Sequence, residues 1–237
     1  MSENDSLEGI AVIGLAGRFP RAENVEQYWA NLVAGRDCFT EFSVEDVIRD
    51  GVPQETARRS DYIRRMPVLD HPGGFDARLF RYSPKEAELI DPQQRIMLEC
   101  AWEALESAGH DPQRFSGLIG IWAGIGLNNY FLKNIISRGL FEEVADSQAI
   151  ISNEKDYLAT RIAFKLNLRG PAMVVQTACS SSLVAVSLAC QSLLTYQCDM
   201  ALAGAVYLQT PRARGYLYRE GDIFSPDGFC RAFDQSA

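Results

Sequence analysis

Histidine is nearly absent from this chain of 237 residues: His71 and His110 are the only two. Six cysteines stand at 38, 100, 179, 190, 198 and 230, with no CxxC among them and no second ligand near either histidine in sequence. That spacing excludes a zinc knuckle or a Cys/His structural metal site. The start, MSENDSLEG, lacks a basic n-region and an apolar core. No secretory signal is read there, and the scattered thiols fit a reducing, cytoplasmic compartment. The sequence also lacks GxxxxGK[ST], GxSxG and a complete GxGxxG, so phosphate-loop, serine-elbow and dinucleotide readings have no motif to rest on. Positive charge is in deficit, with 23 Lys and Arg against 31 Asp and Glu and a net charge of −8. This balance repels nucleic acid and anionic membrane surfaces, and neither is an expected partner. Repeats and low-complexity tracts are missing as well, which excludes solenoids and flexible linkers.

What is present is an ordinary globular composition, 47% hydrophobic and 23% charged. A chain of this length removes roughly 70% of its unfolded surface from water on folding and needs neither disulfides nor metal to hold a core. Between Pro171 and Cys198 no charged residue occurs, a stretch long enough to raise a membrane span. Gln176, Gln191, Gln197 and the serines at 180, 181 and 182 interrupt it. A buried strand followed by a buried helix is the better account.

The pattern along the chain alternates strands and helices. Residues 10–14 (IAVIG) form a short apolar run closed by glycine and are expected as a strand buried on both faces. Asn24 opens a helix through Val25, Tyr28, Trp29 and Leu32 that stops at Gly35. Residues 36–82, polar and rich in Arg, Asp and Pro, read as an irregular surface excursion. Ser83 and Glu86 make a capping box, and Pro92 starts a second helix that ends at Gly109. Residues 118–125, 172–176 and 200–208 are expected as strands, 127–168 as helical segments, and 183–194 as a helix apolar on nearly every face. This order predicts an α/β fold, one continuous unit with a mostly parallel sheet covered on both faces.

Two places invite chemistry. Gly124 and Gly126 lie in GIGLNN, where the third glycine of a dinucleotide fingerprint is an asparagine, so a tight strand-to-helix turn is the expected role. Cys179, in TACSSSL (177–183), stands between a strand and an apolar helix. A helix N-terminus offers unpaired N–H groups and a positive dipole end, which favour a thiolate and can hold a developing oxyanion during attack on a thioester. Ala178, Ser180, Ser181 and Ser182 are small enough to leave room for an acyl chain, and serine can cap the helix. The competing reading makes Cys179 a small buried hydrophobe, and residue type with position leaves both open.

IAVIGLAGRFP (10–20), YWANLVAGRD (28–37), ELIDPQQRIMLECAWEALESAG (88–109), ATRIAFKLNLRGPA (159–172), TACSSSLVAVSLACQSL (177–193) and SPDGFCRAFD (225–234) together strongly resemble the N-terminal half of a β-ketoacyl synthase domain of modular type I polyketide synthases. The resemblance implies a thiolase-like fold of αβαβα layers, with this chain as the first half of the duplicated unit. Residues 1–9 are then a polar N-terminal extension and 10–237 the N-terminal part of the domain. Nine residues are too few for a two-helix docking segment, since even a marginal helix wants ~12 residues, so if Met1 is the native start a module that starts at this domain is expected, and if it is not, nothing follows. The resemblance also implies that Cys179 is the acyl-accepting nucleophile. No cofactor is expected to be bound. Phosphopantetheine arrives on an acyl carrier protein, and the reaction is a decarboxylative condensation with a malonyl-type extender to a β-ketoacyl thioester.

The same resemblance implies further partners: a second copy paired through residues 172–176, and other synthase domains, an acyltransferase among them, in cis or in trans. Its two catalytic histidines belong to HGTGT and KSNxGH motifs, which these residues do not contain. His71 and His110 match neither, so the fragment alone is expected to be inactive. Ser187 and Ala205 depart from frequent family residues, Ala205 replacing a glycine after LAG. Arg58, Arg59, Arg64 and Arg65 form a basic cluster, expected as a solvated charged loop with docking of an acidic carrier as the alternative. Other classes considered are a non-condensing or structural ketosynthase-like protein and another thiolase-fold acyltransferase acting on coenzyme A esters.

Overall fold

In the computed structural model, which describes residues 9–137, 146–209 and 215–235, the Asn24 side chain accepts a hydrogen bond from the Gln27 backbone N–H and starts helix α1, Val25–Val33. This is the capping expected from an asparagine before an apolar repeat. Gly35 follows at a φ of +58°, a left-handed conformation that glycine adopts without a Cβ clash. Residues 36–71 are less irregular than their polarity suggests. They hold β1 (Phe39–Glu41), α2 (Val44–Arg49), α3 (Gln54–Ala57), β2 (Tyr62–Ile63) and β3 (Arg65–Pro67). β1 pairs antiparallel with β3, and β2 with β7 (Tyr216–Leu217). Val47, Val52, Ala57 and Tyr62 are buried together as a small core, and Ser43 with Asp46 forms a capping box before α2. Of the described residues, 18–71, 209 and 215–235 make up one compact unit; 9–17, 72–137 and 146–208 make up the other.

The larger unit is built from α4 (Pro84–Leu89), α5 (Pro92–Ser107), β4 (Ile119–Ile125), a π-helical turn at Phe131–Ile136, α6 (Asp146–Asn153), α7 (Tyr157–Leu166), β5 (Ala172–Val174), α8 (Ser181–Leu194) and β6 (Met200–Val206). Both predicted helix starts are present: the Ser83–Glu86 capping box opens α4, and Asp91 with Pro92 opens α5. β4 is the middle strand of three, parallel to β5 on one side and to β6 on the other. All of its residues are buried. Ile119, Ile121, Ala123 and Ile125 pack into a core with Leu98, Ala101 and Leu105 of α5 and Leu158 and Ile162 of α7. Trp122 lies in a second cluster with Val175 and with Ala185 and Ala189 of α8. Alternate side chains of β4 thus enter different cores, as the two-residue period of a strand requires.

Two further expectations change in the larger unit. Residues 10–14 form no strand, and Val12 is 77% exposed. Among the described residues no strand runs beside this segment to complete a ladder. It packs instead against α5, where a Cβ on Gly14 would lie 2.3 Å from the Ala104 carbonyl oxygen. Helix α8 is apolar nearly all round, yet its buried residues are Ser181, Ala185, Ala189 and Ser192, a single stripe at helical spacing. Among the described residues no helix is long and apolar enough to cross a membrane.

Candidate active site

The carboxyl end of β5 passes directly into the start of α8, and the turn between them carries Cys179. The Val175 N–H donates to the Ala123 carbonyl at 2.9 Å, which carries the pairing with β4 past the last residue of β5. Gln176 then donates its side-chain amide to the Ile125 carbonyl at 3.0 Å. Beyond it, Ala178 takes a left-handed φ of +54°, and residues Ala178–Ser180 form a single 3-10 turn. The Cys179 side chain is exposed.

Serine holds this turn in a way that composition does not show. Ser181 Oγ accepts from the Thr177 N–H at 2.9 Å and donates to the Ala178 carbonyl at 2.8 Å. Ser180 does not cap α8; its hydroxyl turns back to the Thr177 carbonyl at 2.8 Å. The helix N-terminus beside Cys179 therefore carries no side-chain cap from Ser180, and a positive dipole end stands next to the thiol. Two glycines set the spacing of these elements. A Cβ at Gly124 would lie 2.9 Å from Ser181 Cβ and 3.1 Å from Ala205 Cβ, so Gly124 lets α8 and β6 pack close to β4. At Gly126 a Cβ would fall 2.1 Å from the Tyr207 ring and 2.9 Å from Gln93 Oε1. Close approach, in place of the expected tight turn, is what the GIG sequence provides. The methyl group of Ala205 is accommodated because its neighbour on β4 is Gly124.

The other sulfur and nitrogen candidates lie elsewhere. Cys198 is buried, and burial pushes its thiol up from the ordinary value. Cys38, Cys100 and Cys190 are half-buried, while Cys230 is exposed like Cys179. His110 stacks edge-on to Phe115 at 5.5 Å between ring centres. It precedes β4 in sequence, at the amino end of the parallel sheet, whereas Cys179 follows a carboxyl end. His71 is exposed in the smaller unit. Among the described residues no cluster of three His, Cys, Asp or Glu is placed to hold a metal.

The arginine cluster lies in the smaller unit, around a cleft of about 760 Å³. Arg59 forms a two-pronged bond with Asp61, at 2.8 and 2.6 Å. Arg65 is buried, paired with Asp37 and stacked 3.6 Å from the Phe229 ring centre. Two of the four guanidinium groups thus serve internal carboxylates.

Comparison with known proteins decides what this geometry belongs to. The sequence family described as Beta-ketoacyl synthase, N-terminal domain, matches residues 7–237. The chain belongs to the β-ketoacyl synthase family. It is 46% identical over 235 residues to a phenolphthiocerol/phthiocerol polyketide synthase of Mycobacterium tuberculosis, covering 96% of this chain and 16% of that protein. Polyketide synthase PksL of Bacillus subtilis is 38% identical, over 94% of this chain and 5% of its own length. Among solved structures, ketosynthase twelve of the bacillaene polyketide synthase from Bacillus amyloliquefaciens superposes with a TM-score of 0.83 at 30% identity, over 96% of this chain and 40% of that one. The ketosynthase from module 6 of the Bacillus subtilis bacillaene synthase gives 0.74 at 36% identity, covering 96% and 37%. The chain therefore spans a small part of its curated relatives and well under half of the matched structures. Its α/β fold is thiolase-like, as the sequence motifs imply.

The sequence singles out Cys179 as the candidate but gives no sign of two amides that tie strand ends together. Gln176 and the buried Gln93 cross from one element to another, and their partners are distant in sequence. The DPQQR run that contains Gln93 carried the family resemblance without showing what the glutamine touches.

Proposed function

We propose that the whole domain of which these residues form part is the ketosynthase of a polyketide assembly line, acting in the cytoplasm, and that Cys179 is its acyl acceptor. The observation that carries the reading is the exposed thiol of Cys179 at the carboxyl end of the parallel sheet, beside the uncapped start of α8. In the reaction, the Cys179 sulfur attacks the carbonyl carbon of an acyl thioester carried on the phosphopantetheine arm of a carrier protein. A tetrahedral oxyanion forms next to the helix N-terminus, whose dipole favours that charge. Collapse of the intermediate breaks the bond to the carrier sulfur, which leaves as a thiolate, and the acyl chain stays on Cys179 as a new thioester.

In the second half of the cycle a malonyl-type unit on a carrier loses carbon dioxide. The resulting enolate carbon attacks the acyl-Cys179 carbonyl, expels the cysteine sulfur and gives a β-ketoacyl product. The histidine motifs that serve this step in the family are not in the 237 residues, so condensation is proposed for the whole domain and acyl acceptance for Cys179. A homodimer is part of the reading: β5 is an edge strand among the described residues, and its Met173 is 50% exposed, a feature that favours pairing with a second copy. Other synthase domains, an acyltransferase among them, would supply the extender.

Incubating the full-length protein with an acyl carrier thioester tests the assignment by intact mass. One acyl unit is expected per wild-type chain and none on Cys179→Ala. Acylation that persists in the variant would overturn it.

A further inference from the structure

Gln93, two residues into α5, is 1% exposed and nearly saturated with hydrogen bonds. Its side-chain nitrogen donates to Asp91 Oδ2 at 3.0 Å and to the Leu127 carbonyl at 3.3 Å. Its side-chain oxygen accepts from the Leu208 N–H at 3.1 Å. Asp91 in turn accepts from the Gln93 backbone N–H at 2.9 Å, which fixes the carboxylate that orients the amide. Leu127 lies just beyond the carboxyl end of β4 and Leu208 just beyond that of β6. One buried amide therefore clasps the ends of two neighbouring parallel strands. Two residues before Leu127, the Ile125 carbonyl receives the Gln176 side chain, and Gln176 is three residues from Cys179. The close approach at Gly126, where a Cβ would meet Gln93 Oε1 at 2.9 Å, shows that strand end packed directly on the amide.

We propose that Gln93 is a positioning residue for the nucleophile turn: by fixing the end of β4 it fixes the carbonyl on which Gln176, and through it the segment carrying Cys179, is hung. The physical warrant is the cost of loosening. Without the amide, the Leu208 N–H, the Leu127 carbonyl and a buried carboxylate all lose a partner. The strand end must then shift to find others, and a displacement of about 1 Å at a reacting group can cost up to ~100-fold in rate. Gln94 supplies the internal comparison. It is as buried as Gln93, but its amide binds the Glu154 carbonyl and the Arg161 guanidinium and touches no strand end.

This inference rests on Cys179 as the acyl acceptor, and the experiment separates the two. Wild-type and Gln93→Met, Gln94→Met and Gln176→Met forms of the full-length protein are compared for thermal unfolding and for kcat and KM of acyl loading. Absence of loading in the wild type would reject the acceptor assignment before any variant is considered. With the wild type active, both Gln93→Met and Gln94→Met are expected to melt lower. Only Gln93→Met and Gln176→Met should lose kcat for loading, by about tenfold, with KM little changed. Equal loss of kcat in Gln94→Met, or wild-type loading by Gln93→Met, would overturn the proposal. If Gln93→Met does not fold, Gln93→Asn, whose amide is one methylene short of both strand ends, takes its place under the same criteria.

Discussion

Ala178 carries the turn into α8 in a left-handed conformation, φ +54°, which costs a residue with a Cβ roughly 1–2 kcal/mol. Ala178→Gly should therefore raise stability in urea by about 1 kcal/mol, and Ala178→Val should lower it by more, because a β-branched side chain fits this region worst. Loss of stability in the glycine variant would show that the turn is not strained. Two thiols, Cys179 and Cys230, are exposed, so exposure alone predicts equal alkylation. Limited iodoacetamide treatment of the full-length protein with peptide mapping should instead favour Cys179, the thiol next to a helix N-terminus. Equal labelling of Cys230 would leave the helix without a role. In the smaller unit, the Arg231 side chain, bonded at 3.1 and 2.7 Å, and the Phe229 N–H hold the Asp227 carboxyl down at about 2 from its ordinary 3.8. A depressed folded value means that this contribution is complete above the unfolded value and disappears as pH falls through about 2. Carboxyl carbon NMR should give a midpoint near 2 for Asp227, moving up in Arg231→Ala. An unchanged midpoint in that variant would assign the shift elsewhere.

At the scale of the element, α8 shows how far a hydrophobic pattern reaches. Ala185 has no exposed surface and packs in the cluster around Trp122, whereas Leu183 on the same helix is 72% exposed. Ala185→Leu should cost about 1–3 kcal/mol by overpacking, while Leu183→Lys in residues 1–237, diluted until they are monomeric, should change stability by less than about 0.5 kcal/mol. Urea titration of both decides it, and similar losses would mean that the helix is covered on both sides. The strands at 118–125, 172–176 and 200–208 were legible because short apolar runs closed by small residues fit a sheet buried on both faces. The run at 10–14 has the same local character, but a strand exists only where a neighbour completes its ladder, and neighbours are not written locally. Residues 36–71 hid their structure for the opposite reason: four buried side chains, Val47, Val52, Ala57 and Tyr62, recur every five residues, a spacing that matches neither the helical nor the strand period. The proposed site divides along the same line. Cys179 stands in a contiguous motif, whereas Gln93 binds groups 34 and 115 residues away, which leaves no local signature.

For the molecule as a whole, exposed Leu183, Val186 and Leu194 on α8, together with the β5 edge, are apolar surface without cover among the described residues. Such surface drives association, so residues 1–237 expressed alone should self-associate, and a full-length protein should sediment as a dimer at micromolar concentration. A monodisperse monomer in either case would contradict the pairing. The proposed covalent acyl acceptance by Cys179 rests on the family, the thiolase-like fold and the exposed thiol at the end of a parallel strand. Peptide-level mass spectrometry of the full-length protein, trapped after a single exposure to an acyl carrier thioester, tests this most directly. The account predicts the acyl mass on the peptide containing Thr177, Ala178 and Cys179, at the cysteine sulfur and nowhere else. An adduct on Cys230, on a serine of the same turn, or on no residue would contradict it.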